Sequence, residues 1–172
     1  MADGYDAALG ISRALLKFLR AFNLLVGAML ILWFLASFPF EPAFREFFIK
    51  QPERESALLL PILRLWMILA LPAIAAVHIA LSRLLEIVDT VRAGDPFVSE
   101  NGARMRTIAW CTLGLQLFDL ACGALVAAVN AAGSRMDWSF SITGWLAVVL
   151  LFVLARVFEE GARIRTDLET MI

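Results

Sequence analysis

The chain has 172 residues, a hydrophobic share of 61%, a mean hydropathy of +0.80 and a formal net charge of −1. An ordinary soluble domain is about 45–50% apolar even when glycine is counted, so this composition argues against a water-soluble fold. The near-zero net charge argues against direct nucleic-acid binding. Cys111 and Cys122 lie eleven residues apart in one apolar run. Along a helix that separation is roughly 16 Å, too long for a disulfide.

Four apolar runs, each close to the length of a membrane span, follow one another along the chain. They cover residues 21–38, 57–80, 108–130 and 139–158. A spanning helix needs roughly 20 residues, and backbone groups in lipid must bond within their own segment. The sequence therefore predicts an all-α fold, an integral membrane four-helix antiparallel bundle in contact with the lipid bilayer. The short connections predict a single membrane domain over residues 1–172.

The positions of lysine and arginine predict the orientation in the membrane. Of the 15 such residues, four lie in the second and fourth segments outside the runs and Arg64 lies inside a run. The ten on the other side are Arg13, Lys17, Arg20, Arg83, Arg92, Arg104, Arg106, Arg156, Arg163 and Arg165. Cytoplasmic segments carry the excess of positive residues, so both termini are predicted to be cytoplasmic.

The segment before the first run is amphipathic. Within residues 9–22, Arg13, Lys17 and Arg20 follow spacings of four and three, which places them on one helical face. This pattern predicts an amphipathic N-terminal helix that lies on the inner membrane surface. Generic attraction to the leaflet and recognition of a specific anionic lipid both remain open. In the first outer loop, residues 44–48 are predicted to form a single interfacial turn, and a lid over an outer vestibule is an alternative.

Two charged residues lie inside the apolar runs. Arg64 is seven residues into the second run, and Asp119 is near the middle of the third. Charges at membrane depth are costly and normally face a partner or a cavity. The matched depths predict an intramembrane Arg64–Asp119 pair that fixes helix register. A polar stripe accompanies the pair and consists of His78, Gln116 and Asn130. A proton or ion relay through Asp119, Gln116 and His78 is the alternative.

Residues that carry chemistry are scarce. His78 is the only histidine, which excludes bis-histidine haem ligation and a histidine-rich metal site. Nucleophile–base sets, zinc-ligand spacings and phosphate-binding loops are absent from the sequence. The sequence therefore predicts a protein that is not an enzyme and that uses no cofactor or metal.

A helical hairpin is predicted on the cytoplasmic side between the second and third runs. The second helix should continue to Arg92 and end at Gly94 in a glycine C-cap, with Pro96 just beyond. Ser99 should cap the next helix. The loop motif between the two helices is Gly94, Asp95, Pro96 and Phe97.

The C-terminal tail carries an apolar repeat. Spacings of four, three, four and three join Val157, Gly161, Ile164, Leu168 and Met171. Such spacing is typical of a coiled-coil seam. The seam should pack against the protein's own hairpin or dock a partner helix, and both interpretations remain open.

Two blocks of the sequence resemble a bacterial four-span membrane family known as domain-of-unknown-function family 2975. The first block comprises Gly94 to Val98, Glu100, Asn101, Arg104, Arg106, Ile108, Ala109 and Trp110. The second comprises Leu146 to Val148, Val153 to Ala155, Val157, Phe158, Gly161 to Arg163, Asp167 and Leu168. Arg156 departs from the pattern, because an acidic residue is expected there.

The resemblance implies a location and a role. Members of this family are typically encoded beside a small helix-turn-helix transcription regulator. The expected protein is a multi-pass protein of the bacterial inner membrane that acts as a sensor, anchor or inhibitor of such a DNA-binding regulator. Its contact surface would be Gly94 to Phe97 and the tail from Arg163 to Ile172. The alternative is a small transporter or proton-coupled channel that uses Arg64 and Asp119 and forms a homo-oligomer, since four helices enclose little aqueous space.

Overall fold

The computed structural model describes residues 2–48, 56–131 and 137–169. Five helices, and no strand, occur among these residues. They are α1 (Ala2–Ala36), α2 (Glu41–Phe48), α3 (Ser56–Arg92), α4 (Ser99–Ala131) and α5 (Ile142–Glu169). Four of them, all except α2, are long and apolar enough to cross a membrane. The all-α fold with four apolar spans is therefore confirmed. The antiparallel bundle and the single domain over residues 1–172 stay predictions.

The chain divides into two compact units. The large unit comprises Met1–Arg20 and Ala76–Ile172, and the small unit comprises Ala21–Ala75. The large unit contains α4, α5 and the parts of α1 and α3 on the side predicted to be cytoplasmic. The small unit contains the other halves of α1 and α3, with α2 between them.

The predicted N-terminal helix is the first part of a longer one. Helix α1 runs for 35 residues without interruption from Ala2 to Ala36, so residues 9–22 do not form a separate surface element. The segment contains no proline, and Gly10 and Gly27 each weaken a helix by about 1 kcal/mol without breaking it. Nothing in the local sequence therefore separates the amphipathic part from the span.

Helix α3 ends as the sequence predicts. Gly94 has a φ of 87°, a backbone conformation that suits glycine. Its N–H donates to the carbonyl of Val91 at 3.1 Å, and the N–H of Asp95 donates to the carbonyl of Thr90 at 3.1 Å. These two bonds form a Schellman motif. The glycine C-cap is confirmed, and α3 extends to Arg92 as expected.

Three helix starts differ from the predictions by a few residues. Helix α4 begins at Ser99, one residue earlier than a cap at that position would allow. Helix α5 begins at Ile142 rather than at residue 139, because Ser141 Oγ accepts the Gly144 N–H at 3.3 Å and caps the helix. The outer turn is longer than predicted: α2 has 8 residues and includes Pro42 in its first turn, where a missing N–H costs nothing.

The core of the large unit joins α3, α4 and α5. Ile87, Met105, Ile108 and Ala155 form a buried cluster. Half-buried apolar side chains surround it: Ala80, Val91, Leu151 and Phe158. Along α5 the most buried positions, Val148, Ala155 and Ala162, recur every seven residues. This row is the packed face of α5, and heptad spacing keeps it on one side of the helix.

Candidate functional site

Asn101 organises the hairpin, which we define as residues 83–106. Its side chain is fully buried, with an exposed fraction of 0%. The amide Nδ2 donates to Thr90 Oγ1 at 2.8 Å and to the Pro96 carbonyl at 2.9 Å. Its Oδ1 accepts Arg104 Nη1 at 2.8 Å. One side chain therefore ties together the end of α3, the loop and the start of α4.

Ion pairs reinforce the same hairpin. Glu86 Oε2 lies 3.0 Å from Arg83 Nη1 and 3.0 Å from Arg104 Nε, so the carboxylate joins α3 to α4. Arg13 Nε lies 2.7 Å from Asp89 Oδ1, which attaches the N-terminal part of α1 to the extension of α3. The hairpin is thus held by side chains from three helices within the large unit.

The loop motif packs on α5. The Phe97 ring lies against Gly161, where an added Cβ would be 3.1 Å from Phe97 Cδ1. The ring centroids of Phe97 and Phe158 are 5.9 Å apart. Asp95 forms an ion pair with Arg165. The Gly94–Phe97 loop and the tail, defined as residues 159–169, therefore meet on one surface.

A second contact between α4 and α5 depends on Gly102. An added Cβ there would lie 2.5 Å from Glu159 Cγ and 3.3 Å from the Glu159 Cα. Glu159 in turn pairs with Arg106 of α4 and lies 3.7 Å from Arg156 Nη1. The missing side chain at residue 102 lets the two helix backbones approach closely. Arg156, which replaces the expected acid, is 80% exposed at its side chain and contributes its charge to this carboxylate.

The predicted tail seam does not lie on the packed face of α5. Val157 and Ile164 are 56% and 54% exposed. Ile164 is nine residues from the buried Ala155, which at about 100° per residue places the two on opposite sides of the helix. Gly161, at the edge of the seam, contacts the loop through Phe97.

The last two seam residues fall partly outside the described structure. The side chain of Leu168 and the whole of Met171 are beyond the described residues. The use of the seam for docking stays a prediction. The packing on the hairpin is carried by the opposite row, which the sequence analysis did not single out.

Arg64 has its described contacts at the end of α1. Its Nε donates to Ser37 Oγ at 3.0 Å, and Nη2 donates to the Ser37 carbonyl at 2.5 Å. Nη2 also lies 3.4 Å from Glu41 Oε2, and Cζ is 4.3 Å from the centroid of the Phe38 ring. All these residues belong to the small unit. The pair with Asp119 would join the two units and stays a prediction.

The remaining polar stripe lies in the large unit. Gln116 is turned towards α5, because a Cβ on Gly144 would overlap its Nε2. His78 and Asp119 are half-buried, and Asn130 is exposed. The His78 Nδ1 atom has no hydrogen-bond partner among the described residues. The relay through Asp119, Gln116 and His78 stays a prediction. Within the described residues no group of three His, Cys, Asp or Glu side chains could hold a metal ion.

The sequence analysis missed the structural roles of Asn101, Glu86 and Gly102. A signal for two of them was present, since Arg83–Glu86 and Asn101–Arg104 both have the i, i+3 spacing of neighbours on a helix. The role of Gly102 depends on the approach of α5, which no local spacing encodes.

The four apolar helices define a multi-pass membrane protein. Its family follows from the match between residues 48–172 and a family model described as "Protein of unknown function (DUF2975)". The chain belongs to that family, and the resemblance noted in the sequence is confirmed. The matched region contains both the loop motif and the tail. No curated protein and no solved structure matches the chain.

Proposed function

We propose that this membrane protein is a sensor, anchor or inhibitor of a cytoplasmic helix-turn-helix regulator, which docks on the exposed face of the tail beside the Gly94–Phe97 loop. The observation that carries the proposal is the exposure of Val157 and Ile164 on the side of α5 opposite its packed row. Ile164 lies beyond the predicted span, so crossing the membrane does not require an apolar residue there. An amphipathic helix of the partner would bury such a face.

The attachment of the tail favours this role. Phe97, the Asp95–Arg165 pair and the Arg106–Glu159 pair hold the tail on the hairpin. A partner then meets a surface that is already ordered. Binding to a preorganised surface avoids the entropic cost of ordering side chains and loops on association.

The proposal requires the hairpin to be cytoplasmic, and cysteine labelling tests this orientation. Single cysteines are introduced as Gln51→Cys, which lies outside the described residues, and Ser99→Cys, in a chain whose Cys111 and Cys122 are replaced by alanine. An impermeant thiol reagent should label residue 51 in intact cells and residue 99 only after permeabilisation. The reverse pattern would contradict the orientation and with it the docking of a cytoplasmic partner.

Docking itself is tested by a single charge in the exposed face. Ile164→Asp should leave membrane insertion unchanged and should abolish co-purification of the regulator after extraction in mild detergent. Removal of residues 166–172 should have the same effect. The matched control is Ile11→Asp, a like change at a residue of α1 that is 70% exposed, and it should retain the partner. Recovery of the same proteins with the wild type and Ile164→Asp, or of none with either, would contradict the proposal.

A further inference from the structure

An apolar groove runs between α1 and α3 in the small unit. Its lining residues are Val26, Met29, Leu30, Trp33 and Met67. Met67 forms the floor and is 7% exposed, whereas Met29 and Trp33 are 52% and 44% exposed at the sides. The groove is therefore open along its length and offers apolar surface to a neighbouring molecule.

The groove has the depth of one lipid leaflet. Trp33 is one helical turn before Ser37, which follows the last residue of α1. Val26 is eleven residues before Ser37, a distance of roughly 16 Å at 1.5 Å per residue. Half of a hydrocarbon core of about 30 Å is about 15 Å. The groove thus extends from the membrane boundary at the end of α1 to the middle of the bilayer.

A cation and an anion lie side by side at the boundary end of this groove. Arg64 is one turn from Met67 on α3, and its side chain is 20% exposed. Its Nε and Nη2 atoms bond Ser37, whereas Nη1 has no acceptor among the described residues. The Glu41 carboxylate lies 3.4 Å from Nη2, and its side chain is 40% exposed. The mouth of the groove therefore offers one hydrogen-bond donor and one acceptor of opposite charge.

We propose that this groove binds one phospholipid with an ethanolamine head group. The acyl chain lies along Val26 to Trp33, the phosphate bonds Arg64 Nη1, and the primary ammonium group bonds the Glu41 carboxylate. A head group with only a negative charge meets repulsion from Glu41. A choline head group has no N–H to donate to that carboxylate. The paired charges thus select a zwitterionic lipid with a primary amine, independently of the docking function on the hairpin.

Native mass spectrometry of the full-length chain tests the site. The protein is mixed in detergent with phosphatidylethanolamine, phosphatidylglycerol or phosphatidylcholine of matched acyl chains, and the retained lipid is counted. The wild type should retain phosphatidylethanolamine in preference to the other two. Glu41→Gln should remove the preference over phosphatidylcholine. Arg64→Gln should lower retention of all three by about tenfold, the loss expected for one charge-assisted hydrogen bond.

A second variant separates lipid binding from folding, because Arg64→Gln also removes bonds to Ser37. Val26→Phe fills the groove without touching Arg64 and should lower retention of the ethanolamine lipid. Leu25→Phe, a matched change at a neighbour that is 57% exposed and does not line the groove, should not. Equal retention by the wild type, Arg64→Gln and Val26→Phe, or a preference for phosphatidylglycerol, would overturn the proposal. A lipid-free dimer that Val26→Phe dissociates would assign the groove to a second copy and would overturn it as well.

Discussion

The hairpin in the large unit and the Arg64 centre in the small unit both contain charged residues, but they satisfy them differently. In the hairpin and tail, every one of four interhelical cations meets a carboxylate. The pairs are Arg13–Asp89, Arg104–Glu86, Arg106–Glu159 and Arg165–Asp95. In the small unit, Arg64 bonds mainly the hydroxyl and carbonyl of Ser37, and its carboxylate neighbour is more distant at 3.4 Å.

The surroundings of each region explain this difference. The pairs of the hairpin and tail lie beyond the predicted spans and are partly exposed, so water and salt reduce the energy of each one. Their main effect is to orient the helices. Arg64 comes from a span, and its guanidinium donates to the carbonyl at the C-terminal end of α1. A cation is favourable at that position because the helix dipole and the unpaired carbonyls are negative there.

Helix packing also differs between the two units. In the large unit, α5 approaches α4 at Gly102, and Gln116 lies over Gly144. In the small unit, Gly27 of α1 faces Ile74, whose Cγ2 would be 3.2 Å from an added Cβ. Small residues let helices approach in a membrane, where no hydrophobic force drives them together. The large unit combines such contacts with a buried polar hub, and the small unit does not. The large unit should therefore respond more strongly to substitution.

The largest effect is expected at Asn101. Asn101→Leu removes three hydrogen bonds and leaves Thr90, Pro96 and Arg104 with buried polar groups unsatisfied. Each such group costs about 1–3 kcal/mol, so a loss of about 3 kcal/mol or more is expected. Unfolding in mixed micelles with increasing denaturing detergent measures the change.

Asn23 is the matched control in the small unit. Its Nδ2 donates to the Ile74 carbonyl at 3.0 Å, a single bond between two spans. Interhelical bonds in membranes average about 0.6 kcal/mol, so Asn23→Leu should have a small effect. Equal losses for the two leucine variants would show that the hub has no special weight and would remove the contrast between the units.

The next effect is expected at the closest helix approach. Gly102→Ala places a methyl group against both the side chain and the backbone of Glu159. Backbone cannot move aside as a flexible side chain does, and overpacking of this kind costs about 1–3 kcal/mol. Gly114→Ala on the same helix meets nothing within 4 Å and should be neutral or slightly stabilising. Equal stability of the two variants in the same unfolding assay would contradict the close approach at Gly102.

Much of the fold was predictable from local patterns. The four apolar runs, the extension of α3 to Arg92 and the glycine C-cap at Gly94 depend on hydropathy and on backbone chemistry near the chain position itself. The continuity of α1 and the start of α5 at Ile142 were not predicted. The first requires the absence of a break to outweigh a change in amphipathicity, and the second depends on one serine cap.

The candidate site was less predictable. The seam from Val157 to Met171 satisfies a coiled-coil spacing, yet the buried row on α5 contains Ala155 and Ala162. Alanine and glycine carry little hydropathy, so a pattern search favours the larger residues on the opposite face. In a membrane protein those large residues face lipid or a partner, whereas small ones mark the helix contact. Size as well as hydrophobicity must therefore be counted when the packed face of a span is predicted.

The smallest effect is expected for the ion pair between the loop and the tail. The side chains of Arg165 and Asp95 are 46% and 38% exposed, so the pair should stabilise the fold by no more than about 1 kcal/mol. Arg165→Ala and Asp95→Ala should each change unfolding only slightly, and the double variant should resemble either single one.

The same pair should matter more for local order than for global stability. Loss of either charge removes one of the contacts that hold the tail on the loop, so backbone amides of residues 159–169 should exchange hydrogen faster while those of the α3–α4 hairpin keep their protection. Raising the salt concentration should produce the same change in the wild type, because partly exposed pairs are screened. Faster exchange throughout the hairpin in Arg165→Ala would contradict this prediction. It would show that the tail supports the hairpin, instead of being held by it, and would make the buried Asn101 hub dependent on the surface pair.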